Sequence, residues 1–333
     1  MKLILLTISL TTIFCSFAQQ GNNFSMWFNN NMQQNVAAVG TGDNDVKLFT
    51  NFRNQYFSVS ENPIRSISAS VDGKVLRSYK RKSYLGLGAS FINDVSGDGR
   101  YTVNDFKVPI AYHIFLNKVT SLSIGVSPGI YQRSIGGGDF TWESQWNGYE
   151  FDNNIPQSTI LNTSVSNFDL GAGIFFKRQT SNSNKLYFGI GVNHILRPEI
   201  DFNIQDNLFI RYVGQFGMNH RFYQSDFGIS PQVIAAFQGP TTNIIVGTNF
   251  DYFLQDASLR TGFYTPTVFS FGVYHRLNDA IIVNVQYSTK GLTIAASYDT
   301  NINSMLPYSK SVGGYEVALI YDIMLNRKGR YIY

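Results

Sequence analysis

The sequence predicts an all-β fold, a transmembrane antiparallel β-barrel of about fourteen strands that follows an N-terminal signal peptide. Three observations predict it. The chain begins with an export signal, its composition is poor in charge and rich in aromatic residues, and apolar residues alternate with small or polar residues in one run after another. Alternation at every second position is typical of strands with two different faces.

The export signal occupies residues 1–18. A positively charged start precedes an apolar run over residues 3–14, and small residues lead to a predicted cleavage site after Ala18. The alternative is a lipoprotein signal with Cys15 as the lipidated residue, but Phe14 stands where a small residue is expected. Cleavage after Ala18 removes the only cysteine, so we expect a mature chain without disulfides.

The composition favours a protein that crosses a membrane with β-strands. Charged residues make up 14 % of the chain and aromatic residues 15 %, whereas soluble domains carry about 25 % charged residues. Beyond the signal, no apolar run approaches the ~20 residues that a membrane helix requires. The formal net charge of +4 is small and evenly spread, which argues against a nucleic-acid partner.

The alternating runs define the barrel. In "SYLGLGASF", Leu85 and Leu87 are expected to face lipid, while Tyr84, Gly86 and Gly88 are expected to face the lumen. Runs of this kind lie near 46–58, 64–72, 83–93, 102–116, 119–134, 165–178, 185–196, 208–223, 226–237, 242–254, 266–277, 279–289, 291–299 and 313–324. Turn-forming residues separate them. An even number suits a closed antiparallel barrel.

The export signal and the positions of the alternating runs divide the chain into three parts. Residues 1–18 form the signal peptide, residues 19–45 form an N-terminal segment that folds into or against the lumen, and residues 46–333 form the barrel. A soluble β-sandwich is the rival fold, since it also has many short strands. The length of several runs and their aromatic ends favour tilted membrane strands instead.

One turn resembles a calcium loop. Counted from Asp94, the acidic spacing and Gly99 match an EF-hand, but position 12 is Asp105 where a bidentate Glu is expected, and the flanks are predicted strands. We therefore predict a hairpin turn here. Whether Asp94 and Asp98 also hold an ion stays open.

The sequence offers no catalytic, cofactor or metal site that we can assign. The four histidines lie far apart, in no spacing typical of zinc: His113, His194, His220 and His275. The stretch "GVSPG" around Ser127 matches a nucleophile elbow, but that motif needs a following helix. A barrel hydrolase would require a serine and a histidine within hydrogen-bonding reach at the rim, so we predict a protein that is not an enzyme.

Four aromatic residues cluster in the longest gap between runs. Phe140, Trp142, Trp146 and Tyr149 lie between residues 135 and 164, which we interpret as a large loop. Aromatic side chains dominate many interfaces, so these residues are candidates for contact with a partner. The alternative, which the sequence supports equally well, is that these aromatic residues fold over the mouth of the barrel.

Several stretches, taken in order, resemble the PorP/SprF family of outer-membrane proteins of the type IX secretion system. They are "QQGNNFSMWFNNNMQQNVAAVG", "LGLGASFINDVSGDG", "VPIAYHIFL", "LSIGVSPGIYQ", "LTIAASYDTNINSM" and "GGYEVALIY". The chain departs from the family in two places. Val36 replaces a proline, and Gly314-Tyr315 replaces Ser-His before Glu316.

The resemblance implies a non-enzymatic barrel of the outer membrane that works with the secretion or gliding machinery. It implies lipid, and a secreted surface adhesin or another type IX component, as partners. The alternative function is a passive channel or a transporter of hydrophobic ligands. An N-terminal segment in the lumen would favour docking, and an unobstructed lumen would favour the channel.

Overall fold

The structure is a computed structural model of the chain. It describes residues 24–43, 45–78, 82–136, 145–152, 154–155, 164–181, 183–200, 206–255, 266–304 and 306–325. In this part of the chain no helix is long and apolar enough to cross a membrane. The described residues form fifteen antiparallel strands around a short, partly helical N-terminal segment.

The strands lie close to the alternating runs. Their bounds are β1 Val46–Gln55, β2 Ile64–Ser78, β3 Ser83–Ser96, β4 Tyr101–Lys107, β5 Ile110–Phe115, β6 Thr120–Ile135, β7 Ser164–Gln179, β8 Lys185–Asn193, β9 Arg211–Arg221, β10 Phe227–Gln238, β11 Thr241–Gln255, β12 Thr267–Arg276, β13 Ala280–Thr289, β14 Leu292–Asn301 and β15 Val312–Ile323.

The sheet closes into a barrel of fourteen strands, as predicted. β4 and β5 are two halves of one barrel strand, because both pair with β3 on one side and β6 on the other. Pro109, which has no N–H to donate, lies at the break between them. β1 pairs with both β2 and β15, which joins the two edges. Closure leaves no edge unpaired among the described strands, as a membrane requires.

The two faces of each strand differ as the alternation predicts. On β13, Ile281, Val283 and Val285 are exposed on the outside, whereas Ile282 and Asn284 are buried inside. The register of β13 with its neighbours keeps the apolar side chains on one face, where Val283 stands opposite Val273 and Val285 stands opposite Phe271. The outer face is therefore a continuous apolar surface, suited to lipid.

The two ends of the barrel are unlike. Val46 at the start of β1 pairs with Ile323 at the end of β15, so both chain ends of the barrel lie at one end, which we call the terminal end. The opposite end, which we call the loop end, carries the connections 136–163 and 194–210. Turns at the terminal end include the two-residue turn between β13 and β14.

Three local predictions need correction. β3 continues through Val95 and Ser96, so the predicted turn begins at Gly97, later than expected. β8 stops at Asn193, short of the predicted 196, because His194 takes a φ of 59°, which a strand does not accommodate. Helical turns also occur where the sequence showed no helical period. They are Trp27–Asn29, Asn31–Gln34, Val36–Ala38 and Leu306–Ser309, each too short to display one.

The core lies where the N-terminal segment, residues 24–43, meets the inner wall. Trp27 packs against a cluster from β9, β10, β11, β12 and β13, and Met26 packs against residues of β1, β14 and β15. Ala37 and Ala38 contact Phe175 and Tyr187 on the other side of the wall. We call residues 24–43 the lumen segment, because the barrel strands surround it.

Candidate functional site

The lumen segment is anchored near the loop end by a cluster of charged residues around Ser25. The Ser25 hydroxyl donates to Asp299 at 2.6 Å and accepts from Arg53 at 2.6 Å and from Arg276 at 2.7 Å. The backbone N–H of Ser25 donates to Glu316 at 2.5 Å. Each of these five residues is less than 5 % exposed, so one serine completes a buried network.

The charges of this cluster compensate one another. Arg53 pairs with Asp299 at 2.9 Å and with Glu316 at 2.5 Å. Arg276 pairs with Asp299 at 3.3 Å and with Asp279 at 3.1 Å. Buried charges persist only when they are paired and hydrogen-bonded. Because the pairs come from β1, β12, β14 and β15 and the turn after β12, the cluster ties the segment to the strands that close the barrel.

Glycines on the inner wall make room for the middle of the segment. A Cβ added at Gly86 would clash with the carbonyl oxygen of Val39, and one at Gly125 would lie 2.8 Å from the Cα of Ala37. Real Cβ atoms essentially never approach that closely. The small residues that alternate with large ones in the sequence are therefore contact points between wall and backbone.

A buried serine–histidine pair lies beneath the segment. The His113 Nδ1 accepts from the Ser123 hydroxyl at 2.5 Å, and its Nε2 donates to the carbonyl oxygen of Val39 at 2.8 Å. Tyr84 stacks on the ring at 4.2 Å. Because a carbonyl only accepts, Nε2 carries the proton and the imidazole has no free nitrogen. This pair is fully enclosed instead of lying at the rim, and it positions the segment.

A second set of charges holds the segment at the terminal end. Asp43 forms ion pairs with Lys177 at 3.5 Å and with Lys185, and the Lys177 ammonium donates to the carbonyl oxygen of Thr41 at 2.7 Å. Burial alone would raise the pKa of Asp43, but the ammonium groups of Lys185 and Lys177 outweigh it and hold the pKa well below its usual range. The carboxylate therefore stays ionised.

The loop aromatics form a small hairpin at the loop end. Trp146 and Phe151 form an isolated bridge with ring centroids 5.0 Å apart. The Asn147 side chain accepts from the backbone N–H groups of Tyr149 and Glu150, at 2.9 and 3.0 Å, which closes the turn. Trp146 is 48 % exposed and Tyr149 93 % exposed. Phe140 and Trp142 lie outside the described residues.

Sequence reasoning overlooked two parts of this arrangement. It named neither Phe151, which completes the aromatic hairpin, nor the Ser25 cluster. One feature of the sequence pointed to the cluster, since Glu316 stands on the polar face of its strand. The residues near Glu316 in the chain did not indicate which groups it would contact.

The calcium-like turn is a hairpin. Asp98 accepts from the Asn62 amide at 2.8 Å, and Asp94 accepts from the Ser66 hydroxyl. Within the described ranges, no group of three or more His, Cys, Asp or Glu side chains could hold a metal ion.

Known structures with a similar fold are outer-membrane barrels. The crystal structure of the Ralstonia pickettii toluene transporter TbuX aligns with a TM-score of 0.51 and 9 % identity, over 87 % of this chain and 92 % of that one. The CymD monoaromatic hydrocarbon channel aligns with a TM-score of 0.47 and 10 % identity, over 89 % and 93 %. At such identities the likeness concerns the fold alone.

Sequence comparison identifies the family. No curated protein matches the chain. The model of the type IX secretion system membrane protein PorP/SprF matches residues 16–321, which include the six stretches that carry the resemblance. Together with the barrel, this match assigns the protein to the outer membrane. The chain belongs to the PorP/SprF family of type IX secretion system membrane proteins.

Proposed function

We propose that the protein is a docking barrel, which holds a secreted surface protein or another type IX component at the outer membrane. The occupied lumen is the observation that carries this proposal. The lumen segment is bonded to the wall at the Ser25 cluster, at His113 and at Asp43. A barrel filled in this way offers its ends, rather than its interior, to other molecules.

The loop end supplies a surface suited to a protein partner. Outer-membrane barrels place their chain ends and short turns in the periplasm and their longer loops outside, so the loop end faces the exterior. There the hairpin of Trp146, Tyr149 and Phe151 presents three aromatic side chains. Exposed aromatic residues at the centre of a contact surface frequently carry most of its binding energy.

The interior supports a channel for hydrocarbons less well. The lumen cavity beside the segment is lined by apolar side chains and, in about equal measure, by charged and polar ones, among them Asp105, Lys107 and Arg211. Sites for small apolar molecules are lined mainly by hydrophobic and aromatic side chains. Passage through the lumen would also require the Ser25 cluster to open.

The test is affinity capture from outer membranes solubilised in mild detergent, with the captured proteins identified. We expect the wild-type protein to retain a type IX component or a large secreted protein. The double variant Trp146→Ala/Tyr149→Ala should retain at least tenfold less. The matched control is Tyr223→Ala, which removes an aromatic side chain that is 89 % exposed at the terminal end and should leave capture unchanged.

Two outcomes would contradict the proposal. The first is recovery of the barrel alone, together with ion conductance across planar bilayers, which would support the channel. The second is an equal loss of capture in the control and in the double variant, which would show that the hairpin is not part of the contact surface.

A further inference from the structure

A polar cavity lies in the lumen near the loop end, beside the point where β8 stops. Its volume is about 40 Å³, and it lies between the lumen segment and the inner wall. Ile200 and Leu208, which lie in the described parts of the connection after β8, are buried against Val103 and Tyr131 of this part of the wall. At ~10–15 Å³ for each water, the space suits roughly three waters or one ligand of about five heavy atoms.

Buried polar atoms on the cavity lining lack partners. Four of them, in side chains at most 8 % exposed, make no hydrogen bond among the residues that the structure describes. They are Asp105 Oδ1, Ser127 Oγ, Asn193 Nδ2 and Gln238 Oε1. Buried polar groups are almost always hydrogen-bonded, and leaving one unpaired costs free energy. Unpaired donors and acceptors in residues that line one small cavity indicate an occupant that offers both.

The negative side of the cavity is Asp105, which shares Lys107 with Asp169. Asp169 is not on the lining, and it also bonds the ring of His194 at 2.8 Å. Lys107 pairs with Asp105 at 2.6 Å and reaches Asp169 at 3.7 Å. Gly129 stands between Lys107 and Asp169 in the ladder, and a Cβ there would lie 2.9 Å from the Lys107 side chain. Two carboxylates with one ammonium leave a surplus of negative charge, and Asp105 Oδ1 carries it to the cavity.

The positive side is Arg211. Its guanidinium donates to the Gln34 side chain at 3.1 Å, and no carboxylate oxygen of the described chain lies within 4.0 Å of it. Arginine stays charged in proteins and offers five N–H donors. Asn193 and Gln238 stand directly opposite Arg211 on β8 and β10, so their amide groups flank the guanidinium.

We propose that this cavity binds a small zwitterion of the α-amino acid class. The ligand carboxylate meets Arg211, with the Asn193 amide as a second donor. The ligand ammonium donates to Asp105 Oδ1. The two carboxylates, Asp105 and Asp169, balance the two cations, Lys107 and Arg211. A zwitterion adds no net charge to this arrangement, whereas a lone anion or a lone cation would leave one side of the cavity without a partner. The proposal is independent of the docking function.

The experiment uses the purified full-length protein in detergent and three probes of similar size, namely glycine, acetate and ethylamine. Equilibrium binding of radiolabelled glycine should saturate, and glycine should raise the midpoint of thermal unfolding. Acetate and ethylamine, each with one of the two charges, should compete at least tenfold more weakly. If acetate competes as well as glycine, the zwitterion site is refuted in favour of an anion site. If no saturable binding occurs, it is refuted and water fills the cavity.

Variants test the assigned residues. Arg211→Gln and Asp105→Asn should each lower the affinity for glycine at least tenfold, and Asn193→Ala should lower it less. Arg178→Gln, an exposed arginine at the terminal end, is the matched control and should bind as the wild type does. Since Arg211→Gln removes a half-buried cation, Asn193→Ala keeps the test decisive if that variant fails to fold. Unchanged affinity in the Asp105 and Asn193 variants would overturn the assignment.

Discussion

The lumen segment and the aromatic hairpin are both candidates for function, and they are built in opposite ways. The segment is held by residues far from it in the chain. The bond between Ser25 and Glu316 spans 291 positions, and the hydrogen bonds that Ser25 makes with the wall are buried. The hairpin is held by its own residues, as in the bond from the N–H of Asp152 to the carbonyl oxygen of Gln145, and its aromatic side chains are exposed.

This difference indicates that the lumen segment contributes to the stability of the barrel and the hairpin to the recognition of a partner. The charged residues of the Ser25 cluster are paired with each other, so changing one of them is expected to disturb the barrel. The aromatic residues of the hairpin have few contacts within the protein, so changing them is expected to leave the barrel intact and to alter its contacts with others. The following four predictions test this difference.

The largest effect is expected at the Ser25 cluster. Arg53→Met removes the cation that pairs with Asp299 and Glu316. Because it leaves the buried Glu316 carboxylate without a cation among the described residues and removes one of the two cations beside Asp299, we expect the free energy of unfolding to fall by about 3–5 kcal/mol. The measurement is denaturant unfolding in detergent. Arg65→Met, at an exposed position of β2, should change it by less than about 0.5 kcal/mol. Equal effects would mean that the cluster does not anchor the segment.

A smaller effect is expected where the wall meets the backbone of the segment. Gly86→Ala places a methyl group against the Val39 carbonyl and 2.7 Å from His113 Nε2. We expect a loss of about 1–3 kcal/mol from overpacking and faster proteolysis of the segment. The control is Gly214→Ala, where an added Cβ has no described atom within 4 Å. Slow proteolysis in both variants would argue against a tight contact.

The terminal-end ion pairs should contribute less. Asp43 is 38 % exposed, so Asp43→Asn should cost less than about 1 kcal/mol. Since the pKa of Asp43 is lowered on folding, its contribution is complete above the ordinary range near 4 and is lost only as pH falls through the lower folded value. The wild-type and variant proteins should therefore differ equally at pH 7 and pH 5 in unfolding measurements. A difference that disappears by pH 5 would contradict this.

The smallest effect on stability is expected at the hairpin. Trp146→Ala and Tyr149→Ala should each change the free energy of unfolding by less than about 0.5 kcal/mol, because both side chains are largely exposed. Trp27→Ala, a tryptophan that is 2 % exposed in the lumen, should cost about 3–5 kcal/mol. Similar losses for Trp146 and Trp27 would show that the hairpin is part of the core.

Much of the wall could be predicted from the residues. Leu87 and Phe91 face outward, and Gly86 and Gly88 face inward, as the alternation on β3 indicates. The fourteen predicted runs match the fourteen barrel strands, and the errors lie at their ends. There the outcome depends on a turn conformation, such as that of His194. The one interruption within a run that the described strands show, at Pro109, lies between β4 and β5. Strand ends respond to neighbouring strands and turns, which a single sequence shows poorly.

The site could be predicted only in part. The aromatic residues of the long loop were visible as a cluster, since their neighbours are close in the chain. The partners of Ser25 were not, because Arg53, Asp299 and Glu316 lie 28, 274 and 291 positions away from it. A charged residue on the inner face of a strand indicates a polar lumen but does not identify the group it will meet.

By itself the sequence determined which residues form strands, which face of each strand meets lipid, and the family to which the chain belongs. These properties depend on the identity and spacing of near neighbours, and so each short stretch carries them. Only the tertiary structure decided that residues 24–43 fill the lumen, that two arginines and three carboxylates converge near Ser25, and that a charged cavity remains beside β8. Closing the barrel brings residues from both ends of the chain together, and no local sequence pattern indicates which of them come into contact.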